Sequence, residues 1–358
     1  MPVNARYKIF PQMEAYDDID TRRLPFLMFS QQANYCSDVV NTDTNGFRLA
    51  GLDGKQRLDS FEKSSPVSIL TGGSSAFGIG ATSDSRTIPA LLSKNTGKQW
   101  MNFGGRAHVS TQEFISFMYY REMVGDIENI VICSGFNDLY LYFASKYYDL
   151  RMGSFFSASK YFENTCDHAG LRRLVRETIN KTLGLIYGDY CYKNISNRDA
   201  VSLLFRKTSI SNLGLDRAQD GIISFHHDHP NEVIDILRTN IRNWKVIADH
   251  YDARLIYVLQ PFSNWLGNRN LTPNEKVVFE ILDVEQAALW KPLADKLDGI
   301  YDWYSESINS ICTDEGVAFR DSNIVLNVEG LSKDVFVDRV HLTDHGYQIV
   351  SNLIASEL

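Results

Sequence analysis

Short apolar runs alternate along this chain with segments that have the periodicity of amphipathic helices. Four of the runs, at 66–71, 99–103, 127–133 and 254–259, have the length and composition of β-strands. The run at 127–133 is rich in Ile and Val, which is typical of a strand buried on both faces. Strands that alternate with helices form parallel sheets with helices packed on both faces. The chain is therefore predicted to be an α/β protein, with a three-layer α/β/α arrangement around a central parallel sheet.

The segments between these strands are predicted to be helical from the spacing of their apolar residues. The predicted helices are centred on 88–92 or span 110–124, 231–250, 274–297 and 343–355. Residues 334–337 are predicted to form either a short last strand or an extended approach to the final helix.

Two stretches interrupt the alternation of strands and helices. Residues 1–65 are mixed and polar, and we interpret them as an N-terminal extension packed on the main domain, which spans 66–358. The stretch at about 140–228 is rich in Tyr, Phe, Lys and Arg, and we interpret it as a helical insertion that forms a lid or a cap. Its aromatic side chains offer flat apolar surface for a sugar ring or an acyl chain. The insertion is therefore predicted to set substrate selectivity without carrying the chemistry.

Net charge and apolar composition exclude several classes of partner. The 358-residue chain has a formal net charge of −8, which argues against a nucleic-acid or anionic-membrane partner. Its first residues lack the apolar segment of a signal peptide, and no apolar stretch approaches the roughly 18 residues of a membrane span. We therefore expect a cytoplasmic protein without a nucleic-acid or membrane partner, and the oligomeric state stays open.

A turn of small residues follows the first predicted strand and reads Gly72-Gly73-Ser74. The two glycines allow a sharp turn that lifts the Ser74 side chain above the sheet. A serine hydroxyl becomes a nucleophile when a base removes its proton, and the Ser74 N–H would face the place where an oxyanion forms. Taken alone, the turn is also typical of an ordinary glycine-rich connection in which the serine caps a helix. It is too short for a P-loop.

A candidate base lies near the C-terminus, in the sequence Asp338-Arg339-Val340-His341. The offset of three residues allows Asp338 to bond one imidazole nitrogen of His341, which leaves the other nitrogen for the serine. His345 is an alternative base, but it lies within the first turn of the final helix, so His341 is preferred. Taken alone, these residues are also typical of a surface loop before a helix.

Asn137 lies just past the predicted strand at 127–133, and its side-chain amide is predicted to donate to an oxyanion. Taken alone, an asparagine in this place is also typical of a turn. Ligands of parallel α/β sheets bind beyond the carboxyl ends of the strands. We therefore expect Ser74 and Asn137 to converge at that edge of the sheet.

Three motifs, in this order along the chain, resemble those of the SGNH (GDSL-type) hydrolase superfamily. They read GGSSAFG, GFND and DRVH and occupy 72–78, 135–138 and 338–341. The resemblance covers roughly 66–135 and 231–358 and leaves out the insertion. It implies a flavodoxin-like three-layer α/β/α fold with a central parallel sheet.

The resemblance also implies a role for each matching residue. Ser74 corresponds to the nucleophile, and its own N–H is one oxyanion donor. The pair Asp338 and His341 corresponds to the orienting carboxylate and the general base. Asn137 corresponds to a second oxyanion donor.

One block departs from the superfamily pattern. The superfamily usually has a glycine five residues after the asparagine of its second block, and the backbone N–H of that glycine is the third oxyanion donor. Here Ala107 stands five residues after Asn102. A backbone N–H does not require glycine, so Ala107 is predicted to donate provided that its φ is negative. Gly105 is the alternative donor.

Candidate substrate contacts lie beside these blocks at Gly105, Arg106 and Gln260. Arg106 either binds an anionic group of the substrate or is a solvated or ion-paired side chain. Gln260 belongs to the sequence Leu-Gln-Pro at 259–261, which resembles one bacterial branch of the superfamily, as does Asn-Gly-Phe-Arg at 45–48.

The motifs together predict serine-dependent hydrolysis of a carboxylic ester, of short acyl chain or acetyl, through an acyl-enzyme. The substrate is expected to be a small-molecule or carbohydrate ester. No cofactor is predicted, and the histidine-rich stretch 226–229 lacks the spacing of a metal site. An O-acyltransferase that passes the acyl group to a sugar hydroxyl would use the same triad and is the main alternative. A non-catalytic binding module is the third possibility.

Overall fold

Five parallel strands form the centre of the structure. The structure is a computed structural model, and it describes residues 3–144 and 230–358 apart from 62, 64, 268, 286, 331 and 332. In chain order the helices and strands are α1 (Val3–Ile9), α2 (Met13–Asp18), β1 (Thr21–Leu24), β2 (Met28–Gln31), β3 (Val67–Gly72), α3 (Ser74–Phe77), α4 (Ile88–Thr96), β4 (Trp100–Gly104), α5 (Ser110–Tyr120), β5 (Ile127–Ser134), α6 (Phe136–Ala144), α7 (Asn231–Tyr251), β6 (Arg254–Leu259), α8 (Pro273–Glu285), α9 (Ala287–Gly299), α10 (Tyr301–Asp314), β7 (Ala318–Asp321), α11 (Ser322–Glu329) and α12 (Asp344–Ala355). Apart from the end of α6, the predicted insertion at about 140–228 lies outside the described residues.

The central sheet has the strand order β4-β3-β5-β6-β7, and its neighbouring strands are parallel. If the strands of this sheet are renumbered from 1 to 5 in chain order, the strand order is 2-1-3-4-5, as in flavodoxin-like folds. The direction of winding reverses between β3 and β5, and such a switch point is where open α/β sheets bind their ligands. Gly72 pairs with Gly104 and with Cys133, so β3, β4 and β5 end side by side at this point.

Alternate residues of the central strands face two separate hydrophobic cores. Ile130 and Ile132 of β5 pack in one core, whereas Val131 and Cys133 pack in the other. Helices α5, α7 and α10 bury apolar side chains in the first core, and helices α4, α11 and α12 bury theirs in the second. The three-layer α/β/α fold that the sequence predicts is therefore confirmed.

Helix α7 shows how apolar spacing determines this packing. Its buried residues include Val233, Leu237, Ile241, Trp244 and Ala248, which recur every three or four positions and so share one face. The Trp244 ring packs 4.9 Å from the ring of Phe117 on α5. Within the described residues, no helix combines the length and the apolar composition that crossing a bilayer requires.

The four predicted strands are present as β3, β4, β5 and β6, with bounds within one residue of the prediction. The helix predicted at 274–297 is instead two helices, α8 and α9. Of the two alternatives for 334–337, the extended approach is correct, and in the described chain Phe336 makes an isolated bridge with Leu342. The fifth strand is β7, which the sequence analysis missed because its four residues, AFRD, are partly exposed at the sheet edge and lack an apolar run.

Residues of the predicted N-terminal extension bond directly to the central sheet and to a loop beside it. The hydroxyl of Tyr16 lies 2.7 Å from the carbonyl oxygen of Ala81. The side-chain amide of Gln31 donates to the carbonyl oxygen of Gly104 at 3.0 Å. Strands β1 and β2 pair as an antiparallel hairpin, and this hairpin lies beside the carboxyl end of β4.

Candidate active site

The connection between β3 and α3 places Ser74 at the carboxyl edge of the sheet. Gly72 has φ +147°, and a Cβ there would lie 2.0 Å from the carbonyl oxygen of Cys133 on the neighbouring strand. A Cβ on Gly73 would lie 2.6 Å from Nδ2 of Asn137. Both positions therefore require glycine, the first for close backbone approach and the second to leave room for the asparagine amide.

The far end of the short helix α3 is held by the buried side chain of Arg48. Its Nη1 donates to the carbonyl oxygen of Gly78 at 2.6 Å, and its Nε pairs with Asp84 at 2.7 Å. Carbonyl groups at a helix end have no partner within the helix, so a side-chain donor satisfies them. The sequence at 45–48 thus helps to hold the helix that begins with Ser74.

The loop 335–341 is held by a buried ion pair. One carboxylate oxygen of Glu275 accepts from the backbone N–H groups of Val335 at 2.8 Å and Phe336 at 3.0 Å. Nη2 of Arg269 lies 2.8 Å from the same carboxylate, and both charged side chains are buried. Hydrogen bonds to ionised groups are short and strong, so these bonds fix the start of the loop that ends at the candidate base, His341.

Asp338, His341 and Ser74 form a continuous hydrogen-bonded chain. Oδ2 of Asp338 lies 2.7 Å from Nδ1 of His341, and Nε2 of His341 lies 2.8 Å from Oγ of Ser74. Because an ionised carboxylate can only accept, Nδ1 of a neutral His341 carries the proton and Nε2 accepts from the serine hydroxyl. The structure thus brings together the serine, the histidine and the aspartate that the sequence singled out.

The Asp338 carboxylate is kept ionised by its neighbours. Its other oxygen, Oδ1, accepts from the backbone N–H groups of Val340 at 2.9 Å and His341 at 2.8 Å. Burial raises the pKa of Asp338, but His341 and these N–H bonds outweigh burial and hold the pKa below its ordinary value. An ionised carboxylate at Nδ1 orients the imidazole and stabilises its protonated form.

The neighbouring serine and histidine occupy different surroundings. The hydroxyl of Ser75 is buried and lies 3.3 Å from the carbonyl oxygen of Val340. His345 is not among the residues that line the cleft beside Ser74, and its pKa is lowered by burial and by nearby cations. The geometry therefore favours Ser74 and His341 over their neighbours.

Asn137 lines the same cleft as Ser74. Its Nδ2 donates to the carbonyl oxygen of His108 at 2.7 Å, and a primary amide carries a second N–H. The next residue, Asp138, is buried and accepts from the N–H of Ser110 at 2.9 Å and from its hydroxyl at 2.6 Å. The Asp138 contact fixes the first turn of α6, and the bond to His108 uses one of the two amide N–H groups of Asn137.

The backbone predicted to supply the third oxyanion donor does not have the expected conformation. Ala107 has φ +56°, in the left-handed region that favours glycine, so the expected negative φ is not met. The alternative donor, Gly105, is already used, because its N–H donates to the carbonyl oxygen of Gly72 at 2.9 Å. Ala107 is exposed and lines the cleft with Ser74. The alanine therefore adopts this left-handed conformation at a cost in strain.

Ala107→Gly is expected to raise the free energy of unfolding by about 0.5–1 kcal/mol. A left-handed alanine costs about 1–2 kcal/mol, whereas the added freedom of glycine in the unfolded chain costs about 0.4–1 kcal/mol. Urea unfolding measures the change. The matched control is Ala248→Gly in the right-handed helix α7, which should lose about 1 kcal/mol or more. Equal destabilisation of the two variants would contradict the left-handed assignment.

The remaining candidate substrate contacts differ in exposure. Arg106 lines the cleft and donates through Nη1 to the carbonyl oxygen of Ile19 at 2.7 Å and through Nη2 to that of Tyr16 at 3.2 Å. Gln260 is 1% exposed and does not line the cleft, so it has no surface with which to contact a substrate there. Of these two residues, Arg106 is the one placed to contact a ligand in the cleft.

A cleft of about 390 Å³ opens beside Ser74 and His341. One wall comes from the β1–β2 hairpin, through residues that the sequence analysis did not connect with the site. These residues are Thr21, Arg23, Phe29, Ser30 and Gln31. No motif in this polar stretch indicates a role in the site, because its place at the cleft results from tertiary packing.

No protein-family model matches the sequence, and no curated protein matches it. The chain is similar in structure to an extracellular lipase from Streptomyces rimosus, with 10% identity, a TM-score of 0.42 and coverage of 82% of this chain and 100% of the other. It is also similar to a GDSL-like lipase from Bacteroides thetaiotaomicron, with 13% identity, a TM-score of 0.39 and coverage of 84% and 92%. A third similar structure is phospholipase A1 from Streptomyces albidoflavus, with 11% identity, a TM-score of 0.39 and coverage of 82% and 99%. Similarities this distant do not assign a function to the chain.

Proposed function

We propose that this chain is a serine esterase of the SGNH (GDSL) type, which hydrolyses a short-chain carboxylic ester, such as an acetyl ester, through an acyl-enzyme. The observation that carries the proposal is the hydrogen-bonded chain from Asp338 through His341 to Ser74. It lies at the β3–β5 switch point of a flavodoxin-like sheet, where ligands of such folds bind. A serine, a histidine and an aspartate in this order activate a hydroxyl for attack on a carbonyl carbon.

Acylation begins when Oγ of Ser74 attacks the ester carbonyl carbon. Nε2 of His341 takes the hydroxyl proton, and the carbonyl oxygen becomes an oxyanion in the tetrahedral intermediate. When the intermediate collapses, the bond between the carbonyl carbon and the alcohol oxygen breaks. His341 then returns the proton to the leaving oxygen, so that a neutral alcohol departs and the acyl group stays as an ester on Ser74.

Deacylation repeats these steps with water as the nucleophile. His341 accepts one proton from the water while the water oxygen attacks the acyl carbon. Collapse of the second intermediate breaks the bond to Oγ, and the proton on His341 passes to Oγ of Ser74. The products are the free carboxylic acid and the original enzyme, and Asp338 remains ionised throughout.

Three N–H donors are proposed to stabilise the oxyanion. The N–H of Ser74 has no partner within α3 because Ser74 is the first residue of that helix. The second amide N–H of Asn137 is the second donor, since Asn137 lines the cleft. The backbone N–H of Ala107 is the third: the φ of +56° is not the negative value expected, but it strains the residue without removing its N–H, and Ala107 also lines the cleft. One donor of this kind is typically worth roughly 10²–10³ in kcat.

The apolar lining of the cleft favours an ester with a short acyl chain as the substrate. Its apolar residues are Phe29, Ile79, Ala107, Phe136, Tyr140 and Val340, and the volume is about 390 Å³. The proposed reaction needs no metal and no organic cofactor. The predicted role of the insertion at about 140–228 in selectivity concerns residues outside the described part of the chain, and it stays a prediction.

A panel of p-nitrophenyl esters of increasing acyl length, assayed with and without sugar acceptors, tests this function. We expect kcat/KM to be highest for acetyl or butyryl esters and to fall by roughly tenfold or more for long acyl chains, as the proposed short-chain specificity requires. Free carboxylic acid should form in an amount equal to the nitrophenol released. Acylated sugar as the main product would instead indicate an O-acyltransferase, and absence of turnover of every ester would contradict the proposal.

A further inference from the structure

The charge of the cleft is opposite to the charge of the chain as a whole. The chain has a formal net charge of −8. Among the described residues that line the cleft, the two with a permanent charge are both arginines, Arg23 and Arg106, and none is Asp or Glu. A cleft lined by one sign of charge raises the local concentration of ligands of the opposite sign.

Arg106 is half-buried in this cleft, and its hydrogen-bond partners are neutral. Nη1 and Nη2 each donate to one backbone carbonyl oxygen, at Ile19 and Tyr16. A guanidinium has five N–H donors, so three remain. Within the described part of the chain, no carboxylate lies at ion-pair distance from Arg106, and the nearby Asp17 pairs with Arg6.

The surroundings of Arg106 leave its positive charge only partly compensated. Burial lowers the pKa of the Arg106 guanidinium, and the more distant Asp17 and Asp20 oppose that shift. A buried charge is costly unless an opposite charge pairs with it. An anionic ligand in the cleft would supply that charge and would bond to the donors that remain.

We infer that Arg106 binds a carboxylate group of the ester substrate, so that the proposed esterase acts on acidic esters. The inference rests on the proposed function and specifies its substrate class. Arg106 precedes Ala107, the proposed oxyanion donor, and shares the cleft with Ser74. The inference places a carboxylate of the substrate at Arg106 while the ester carbonyl lies at Ser74. The planar guanidinium fork matches a carboxylate in two parallel hydrogen bonds.

A purely structural role for Arg106 makes a different prediction. Arg106 holds the carbonyl groups of Tyr16 and Ile19, so its loss would also loosen the N-terminal segment beside the cleft. Such loosening would change kcat/KM for charged and neutral esters by similar factors. A carboxylate-binding role changes the ratio of the two values, which is the quantity to measure.

Two matched pairs of esters serve as probes. The first pair is p-nitrophenyl hexanoate and the p-nitrophenyl monoester of adipic acid, which differ by a carboxylate on the acyl side. The second pair is p-nitrophenyl acetate and its ring-carboxylated analogue, which differ by a carboxylate on the alcohol side. For the wild-type protein, the carboxylated member of at least one pair should have a kcat/KM higher by roughly tenfold or more, because hydrogen bonds to charged groups are strong.

Arg106→Gln should lower the charged-to-neutral ratio of kcat/KM by roughly 10- to 100-fold for that pair. Arg106→Lys keeps the charge but loses the fork, so its ratio should lie between those of the wild type and Arg106→Gln. The matched control is Arg242→Gln, which removes an exposed arginine on α7 that pairs with Glu315 and should leave the ratio unchanged. The wild-type preference should also weaken as salt is added, a readout that needs no variant.

The outcomes separate this inference from the proposed function. Ser74-dependent hydrolysis of the neutral esters without any preference for a carboxylate would overturn the inference and leave the esterase proposal intact. An unchanged ratio in Arg106→Gln would also overturn it. Absence of Ser74-dependent turnover of every ester would overturn the proposed function and, with it, the inference.

Discussion

Ser74→Ala is expected to lower kcat for ester hydrolysis by roughly 10³- to 10⁶-fold, because the members of a catalytic triad act as a unit. Without Oγ there is no group to form the acyl-enzyme, and His341 loses the hydroxyl that lies 2.8 Å from its Nε2. Steady-state kinetics with p-nitrophenyl acetate measure the change. The methyl side chain fits wherever the serine fits, so the fold should be kept.

Ser75→Ala is the matched control for this variant. The Ser75 hydroxyl is buried against the carbonyl oxygen of Val340 and does not face the cleft. Its loss removes one weak hydrogen bond, and kcat should stay within roughly tenfold of the wild type. If Ser75→Ala abolished turnover while Ser74→Ala kept it, the nucleophile would be assigned to the wrong serine.

His341→Ala is expected to have a comparably large effect, a loss of roughly 10³- to 10⁶-fold in kcat. It removes the acceptor for the serine proton and leaves the ionised Asp338 without the imidazole that it orients. The assay is again steady-state kinetics with p-nitrophenyl esters. Their nitrophenolate leaving group needs no proton, so the loss of kcat reports mainly the activation of Ser74 and of water by His341.

The matched control for the histidine is His345→Ala. His345 lies four residues further on, in the first turn of α12, and does not line the cleft. We expect near-native kcat from this variant. Loss of turnover in His345→Ala, together with turnover in His341→Ala, would show that the base had been assigned to the wrong residue.

The parts of the fold that the sequence predicts correctly are those with strong local signals. Strands β3, β5 and β6 are largely apolar and almost entirely buried because both faces of the central sheet are covered by helices. The residues Ser74 and Asn137 lie just past the ends of β3 and β5, so the parallel arrangement alone places them at one edge. His341 has no such strand before it, so its predicted place beside Ser74 rests on the Asp338–His341 offset and on the motif resemblance.

The parts that the sequence does not predict depend on tertiary contacts. Strand β7 pairs along one edge with β6, and its four residues have no apolar run to mark them. The β1–β2 hairpin lines the cleft through packing against β4 and α5, as in the bond from Gln112 to the carbonyl oxygen of Leu27. The positive φ of Ala107 is set by the turn in which it lies, and an alanine gives no sign of it.

Burial distinguishes the two side chains that the sequence proposed as substrate contacts. Arg106 and Gln260 both follow strands of the central sheet closely, and the sequence offers no means of telling which one faces the cleft. In the structure Arg106 lines the cleft, whereas the Gln260 side chain is enclosed near Gly73, with Oε1 3.2 Å from where a Cβ would stand. Side-chain direction after a strand end is decided by neighbours distant in sequence.

The central claim is that Ser74 is a nucleophile activated by His341, and covalent labelling tests it most directly. The wild-type protein would be treated with a serine-directed phosphonate, digested and analysed by mass spectrometry, with His341→Ala treated in parallel. We predict one phosphonate adduct on Ser74 of the wild type and labelling of His341→Ala slower by at least roughly 10³-fold, since the base that activates the hydroxyl is gone. An adduct on Ser75, or labelling of Ser74 at the same rate in both proteins, would contradict the account.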